Sequence, residues 1–198
     1  MADERFEAAI AAIDAANAED PNVLVVGGES GPKELVHGRM MDAWVRHLDP
    51  DADDLALLAA RAHHLRRWTS PRSDYPEGRS GYLRWRTAAR KRHASEVSDL
   101  LASCGYSDAQ IERVAQIVRK EHLGTDPVVQ IHEDALCLVF LETQLAELVD
   151  DQGAERMVNI IQKTAAKMSP SALGLVADLP MRDTDRVLIG RALGSDGA

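Results

Sequence analysis

Cysteine, long apolar runs and strand-like alternation are all scarce in this chain. Only Cys104 and Cys137 occur among 198 residues, each inside an apolar pattern. That spacing excludes a disulfide framework and suits two small buried hydrophobes. The longest unbroken apolar run, ALCLVFL at residues 135–141, spans seven residues, against roughly 20 for a membrane-crossing helix. The start, MADERFEAA, is charged from its third residue and holds no apolar signal core. The expected location is therefore cytoplasmic, with no membrane partner. No stretch alternates like a half-buried strand for more than a few residues, and NVLVV at 22–26 runs straight into GGESG, so it reads as a connector. GGESG lacks the lysine and spacing of a P-loop, and no Ser-His-Asp order with a nucleophile elbow occurs.

What remains is helical. A composition of 45% hydrophobic and 28% charged residues is that of a globular chain, and the length suits one domain over residues 1–198. Helical periodicity predicts helices over 2–17, 32–48, 51–67, 81–103, 107–122 and 128–150, with two or three more between 154 and 193. Ser107 starts a capping box with Gln110, and Gly105 closes the preceding helix. Between residues 69 and 81 lies a long Pro/Gly/Ser-rich loop, TSPRSDYPEGRSG. The expected fold is all-α, a single bundle of about seven to nine helices.

Acidic residues outnumber basic ones, 32 to 23, and positive charge is concentrated in one place. The formal net charge is −9, which argues against non-specific nucleic-acid binding. Between Arg61 and His93, however, nine arginines and Lys91 face only Asp74 and Glu77, a local balance of +8. An island of this kind in an acidic protein suits a small anion. Arg66, Arg67, Arg72 and Arg79 are the candidate anion-binding and catalytic side chains. Trp68, Tyr75, Tyr82 and Trp85 are interleaved with the arginines and suit stacking on a base or sugar.

The helical pattern turns several ionisable groups inward. His37 shares a face with Met41, Trp44 and Leu48; His93 with Ala89, Val97, Leu100 and Cys104; His122 with Ile111, Val114, Ala115 and Val118. Asp134 lies with Ile131, Leu138, Leu141 and Leu145, whereas Glu133 points about 100 degrees away on an ideal helix. His63 and His64 sit together at the end of an alanine- and leucine-rich helix. A lone inward histidine is ordinary, and Asp134 could equally pair with an arginine. Imidazoles and a carboxylate converging from separate helices also suit a divalent transition metal, with His37, His63, His64, His93 and Asp134 as its candidate ligands.

In order along the chain, a histidine on one helix, a doublet ending the next (LLAARAHHL), histidines on the two following helices and an aspartate on a later apolar helix (HEDALCLVFLE) resemble the HD-domain superfamily of metal-dependent phosphohydrolases. The resemblance spans residues 32–142. The chain also looks like the uncharacterised family known as domain of unknown function 4202 over nearly its whole length. The superfamily resemblance implies that His37 is the first metal-binding histidine and Asp134 the last aspartate. It also places His93 and His122 where members with two metals hold the second. One departure stands out: where the superfamily has His-Asp, this chain has His63-His64. An imidazole does not bridge two ions as a carboxylate does, so a single ion is expected, one of Fe, Mn, Zn, Ni or Co. Superfamily register points to His63 as its ligand, and the inward face shared with Leu57 and Ala60 to His64.

The expected activity is metal-dependent hydrolysis of a small phosphorylated compound or nucleotide, with arginines stabilising the developing charge. Two alternatives stand beside it: a non-haem iron oxygenase on an HD-like scaffold, and a non-catalytic module that senses an anionic metabolite. The sequence leaves the oligomeric state open, a homo-oligomer included.

Overall fold

The computed structural model describes residues 4–194. These residues are all-helical apart from one hairpin, and the chain divides into two compact units, one ending at His122 and the other starting at Leu123. Ten α-helices occur among the described residues, slightly more than expected, and no helix there is long and apolar enough to cross a membrane.

The first unit holds α1 (Glu4–Asn17), β1 (Val23–Val26), β2 (Glu29–Pro32), α2 (Lys33–Leu48), α3 (Asp54–Arg61), α4 (Gly78–Ser103) and α5 (Asp108–Arg119). Residues 2 and 3 of the helix expected over 2–17 lie outside the described residues. The stretch expected as a connector is an antiparallel hairpin, pairing Val23 with Pro32 and Val26 with Glu29. Gly27 and Gly28 make its turn with φ of 61° and 87°. Both central positions of such a two-residue turn need left-handed backbone, which glycine adopts at little cost. Four-residue strands are too short for alternation to stand out in the sequence.

Helix α2 starts after Pro32, which supplies no capping side chain. Asp20 does so from fourteen residues upstream: its Oδ2 accepts the Glu34 backbone N–H at 3.0 Å, while Oδ1 accepts from the Asn22 backbone and side chain at 2.9 and 2.8 Å. The inward stripe of α2 is Glu34, His37, Gly38, Met41 and Val45, at the spacing of one helical face. Asp53 caps α3 by accepting the Ala56 N–H at 2.8 Å.

The helix expected to run to Arg67 stops at Arg61. Arg66 has a φ of 49°, and its N–H donates to Asn17 Oδ1 at 3.0 Å instead of continuing the helical ladder. The long loop is also partly ordered. Short 3-10 turns occupy 67–69 and 72–74, and α4 opens at Gly78 rather than near residue 81. At the other end of this unit α5 stops at Arg119, because Lys120 and His122 take left-handed backbone with φ of 59° and 63°. His122, expected on the inner face of that helix, is therefore exposed beyond its end. The core comprises Ile13, Met41, Leu58, Leu65, Val97, Leu101 and Ile117, each contributing about 1.5–3 kcal/mol by its burial.

The second unit holds α6 (Pro127–Thr143), α7 (Leu145–Gln152), α8 (Ala154–Ala165), α9 (Pro170–Leu175) and α10 (Asp183–Leu193). The single helix expected over 128–150 is broken at Gln144, whose φ and ψ of −121° and −17° leave the helical region. Helix α6 is buried on nearly every side, as its apolar sequence predicts, and Leu138, Leu141, Met157, Ile161 and Ala172 fill the core of this unit.

Candidate functional site

Four histidine rings of the first unit meet around His64. Its ring centroid lies 4.4 Å from that of His37, 4.4 Å from His63 and 5.8 Å from His93; the first pair is stacked at 23°. His37 comes from α2, His63 and His64 from the turn after α3, and His93 from α4. His37, His63 and His93 are buried.

Three packing features bring these rings together. Gly38 lets α2 approach the end of α3 so closely that an added Cβ would lie 2.6 Å from the Arg61 carbonyl oxygen. Arg61 is itself pinned by Asp14 of α1, donating from Nε at 2.6 Å and from Nη2 at 2.7 Å, with Asp42 of α2 at 3.6 Å. Burial works against the Asp14 charge, and its hydrogen bonds to Arg61 outweigh burial, so its pKa is lowered. The third feature is a hydrogen bond of 2.9 Å between His93 Nδ1 and the Leu65 carbonyl. A carbonyl only accepts, so Nδ1 carries the proton and Nε2 keeps its lone pair. That is the tautomer and support a metal-binding histidine ordinarily has. Nε2 is buried, with no hydrogen-bond partner among the described residues.

Glu34 joins the rings from one turn before His37. It is 4% exposed, and its Oε2 lies 3.2 Å from His64 Nδ1. Glu34, His37 and His64 each present one donor atom, all within 4.8 Å of one another. Burial raises the Glu34 carboxyl to about 7, opposed by the charge of Arg67 and assisted by Asp20. Burial also drives His64 well below its usual value and His93 to about 3, with the Arg67 charge acting in the same direction on both. Neutral imidazoles, one carboxylate and a lone pair held ready fit a borderline divalent ion such as zinc or iron(II).

Of Arg66, Arg67, Arg72 and Arg79, Arg67 is the one coupled to this cluster, and Arg92 adds its charge at His93. Its guanidinium lies 4.6 Å from the Trp85 ring centroid, and its charge acts on Glu34, His64 and His93. Trp85 is fixed in turn by donating from Nε1 to the Ser70 carbonyl at 2.9 Å. Arg72 donates to the Tyr75 and Pro76 carbonyls at 2.8 Å each, which shapes the loop. Arg92 similarly bonds the Arg66 carbonyl at 3.0 Å. Arg66 and Arg79 are exposed.

Asp134 lies in the second unit. Its Oδ1 accepts the Ser169 N–H and Gln130 Nε2, both at 2.9 Å, which ties α6 to the start of α9. Its neighbour Glu133 is buried and lies 3.4 Å from Lys167 Nζ. Glu34 was not among the expected ligands, although the E-x-x-H spacing of ELVH, which sets both side chains on one helix face, was there to read.

No curated protein and no solved structure matches this chain. A family model does, over residues 7–189, which include every side chain of the histidine cluster. The chain belongs to the family described as Domain of unknown function (DUF4202).

Proposed function

We propose that this protein is a metal-dependent phosphohydrolase of the HD-domain type, acting on a small phosphorylated compound. The observation that carries this reading is the convergence of three imidazoles on a fourth, His64, which feels the charge of one embedded guanidinium, Arg67. The order of the histidines along the chain, which resembles that superfamily, supports the choice of a phosphoester. A divalent ion held by these side chains would supply Lewis acidity toward a phosphoryl oxygen and toward water. The protein's own groups do the rest. Burial keeps His64 and His93 neutral, so their lone pairs stay available at neutral pH. Arg67, held against Trp85, binds the phosphoryl oxygens and offsets the charge that builds on them.

The test combines elemental analysis of purified protein with a panel of phosphomonoesters and phosphodiesters. We expect close to one equivalent of a transition metal and turnover of at least one phosphoester. Arg67→Met should retain the metal and lose turnover by about 100-fold or more, as for removal of one donor to a developing oxyanion. A fully folded protein that takes up no added ion would refute the proposal. A second reading draws on one specific observation: two imidazoles and one carboxylate within 4.8 Å are the donor set of mononuclear iron oxygenases. Iron-dependent oxygen consumption by protein inert toward the whole panel would select it. Anion-induced thermal stabilisation with neither activity would mark a sensing module.

A further inference from the structure

We infer that Glu34 is the carboxylate ligand of the metal centre, in a triad with His37 and His64, and that Asp134 is a structural residue. This rests on the metal-dependent reading above and specifies its ligand set.

Glu34 and His37 stand three residues apart on α2 and point to one side of it, as two ligands from one helix must. Glu34 is 4% exposed, yet no hydrogen bond reaches its Oε2 among the described residues; the atom faces His64 Nδ1 at 3.2 Å. Leaving a carboxylate oxygen so buried without a donor is costly, and a bound cation removes that cost. The 3.2 Å separation is also the right one. Two ligands of a tetrahedral ion, each bonded at about 2.0–2.1 Å, stand about 3.3 Å apart. Arg67 lies close enough to Glu34 for each charge to act on the other.

Asp134 presents the opposite case. Its Oδ1 already receives two N–H groups, from Ser169 and Gln130, and Gln130 Nε2 also donates to the Lys167 carbonyl at 2.8 Å. These bonds tie Oδ1 into the link between α8 and α9, which gives Asp134 a structural task of its own. A centre built on Glu34 also draws all its ligands from residues 34–64 of one compact unit.

The experiment is metal binding by the full-length chain, using cobalt(II) as the probe and reading both equilibrium dialysis and the visible spectrum. Glu34→Gln should weaken cobalt(II) binding by more than about 100-fold, beyond what losing a mere supporting contact does. Glu34→Asp should recover part of the affinity with a changed spectrum. Asp134→Asn keeps an oxygen acceptor for Ser169 and should leave affinity and spectrum as in the parent. If Glu34→Gln fails to fold, the contrast between Glu34→Asp and Asp134→Asn decides the matter. Parent-like binding by Glu34→Gln, or a parent-like cobalt spectrum in Glu34→Asp, overturns the inference, as does loss of binding by folded Asp134→Asn. All three leave the metal-dependent reading standing. No binding by the parent protein overturns both.

Discussion

Replacing Gly38 by alanine puts a methyl carbon 2.6 Å from the carbonyl oxygen of Arg61, where ordinary contact begins near 3.4 Å. The carbonyl is backbone, so relief requires α2 and the end of α3 to part by about 0.8 Å, the difference between those two distances. Two effects compete. Alanine favours a helix interior over glycine by about 1 kcal/mol, whereas forcing a methyl group into a packed interface costs about 1–3 kcal/mol. The steric term wins, because the obstructing atom cannot rotate away, and a net loss of about 1 kcal/mol follows. For a chain of this size that lowers the melting temperature by about 2–4 °C. The larger effect falls on the site. The same 0.8 Å separates His37 and Glu34 from His64, whose rings stack at 4.4 Å, so cobalt(II) affinity should fall by at least tenfold. Dialysis and a thermal melt on the same sample measure both. Gly38→Ala protein with unchanged metal affinity would refute the view that close approach of α2 to α3 assembles the centre.

Asp14→Asn removes the paired acceptor of Arg61, whose side chain is only 13% exposed, and should cost about 2 kcal/mol in urea unfolding. A change below about 0.5 kcal/mol would show that Asp42 carries the load instead. In metal-free protein Glu34 and His93 shift stability in opposite directions with pH. The folded carboxyl of Glu34 titrates at about 7, above its ordinary 4.5, so its stabilising effect is present below pH 4.5 and is lost as pH rises through 7. The full loss is about 3 kcal/mol. Metal-free Glu34→Gln should accordingly melt above the parent at pH 8, and an equal or lower melting temperature there contradicts the burial argument. His93 is depressed from 6.5 to about 3, so its contribution holds above pH 6.5 and is lost as pH falls toward 3. His64 shifts in the same direction. The metal-free melting temperature should therefore drop on acidification below pH 6.5, with two imidazoles outweighing one carboxylate.

The helices were legible wherever periodicity and end signals agreed. Ser107 with Gln110 marks the start of α5. Boundaries failed where a distant side chain decided them. Nothing near Arg66 in the sequence announces that Asn17 will take its N–H and end the α3 stretch early. Inward placement of His37 and His93 followed from helix faces alone, while His122 was misplaced because left-handed backbone at Lys120 is invisible to a periodicity count. The arginines show a similar limit. Their clustering was plain, but only coordinates separate Arg67, wedged against Trp85, from Arg72, whose guanidinium binds the loop's own carbonyls. Glu34 carries no signal of its own in the sequence, because a glutamate in a first helical turn is ordinary.

Helix α1 contains none of the four histidines, yet it grips the doublet from both sides: Asp14 holds residue 61 and Asn17 holds residue 66. It works as a splint, so the order of His63 and His64 depends in part on the N-terminal helix. A fusion partner or protease nick that frays this helix would loosen the imidazoles from a distance, with every proposed ligand still intact.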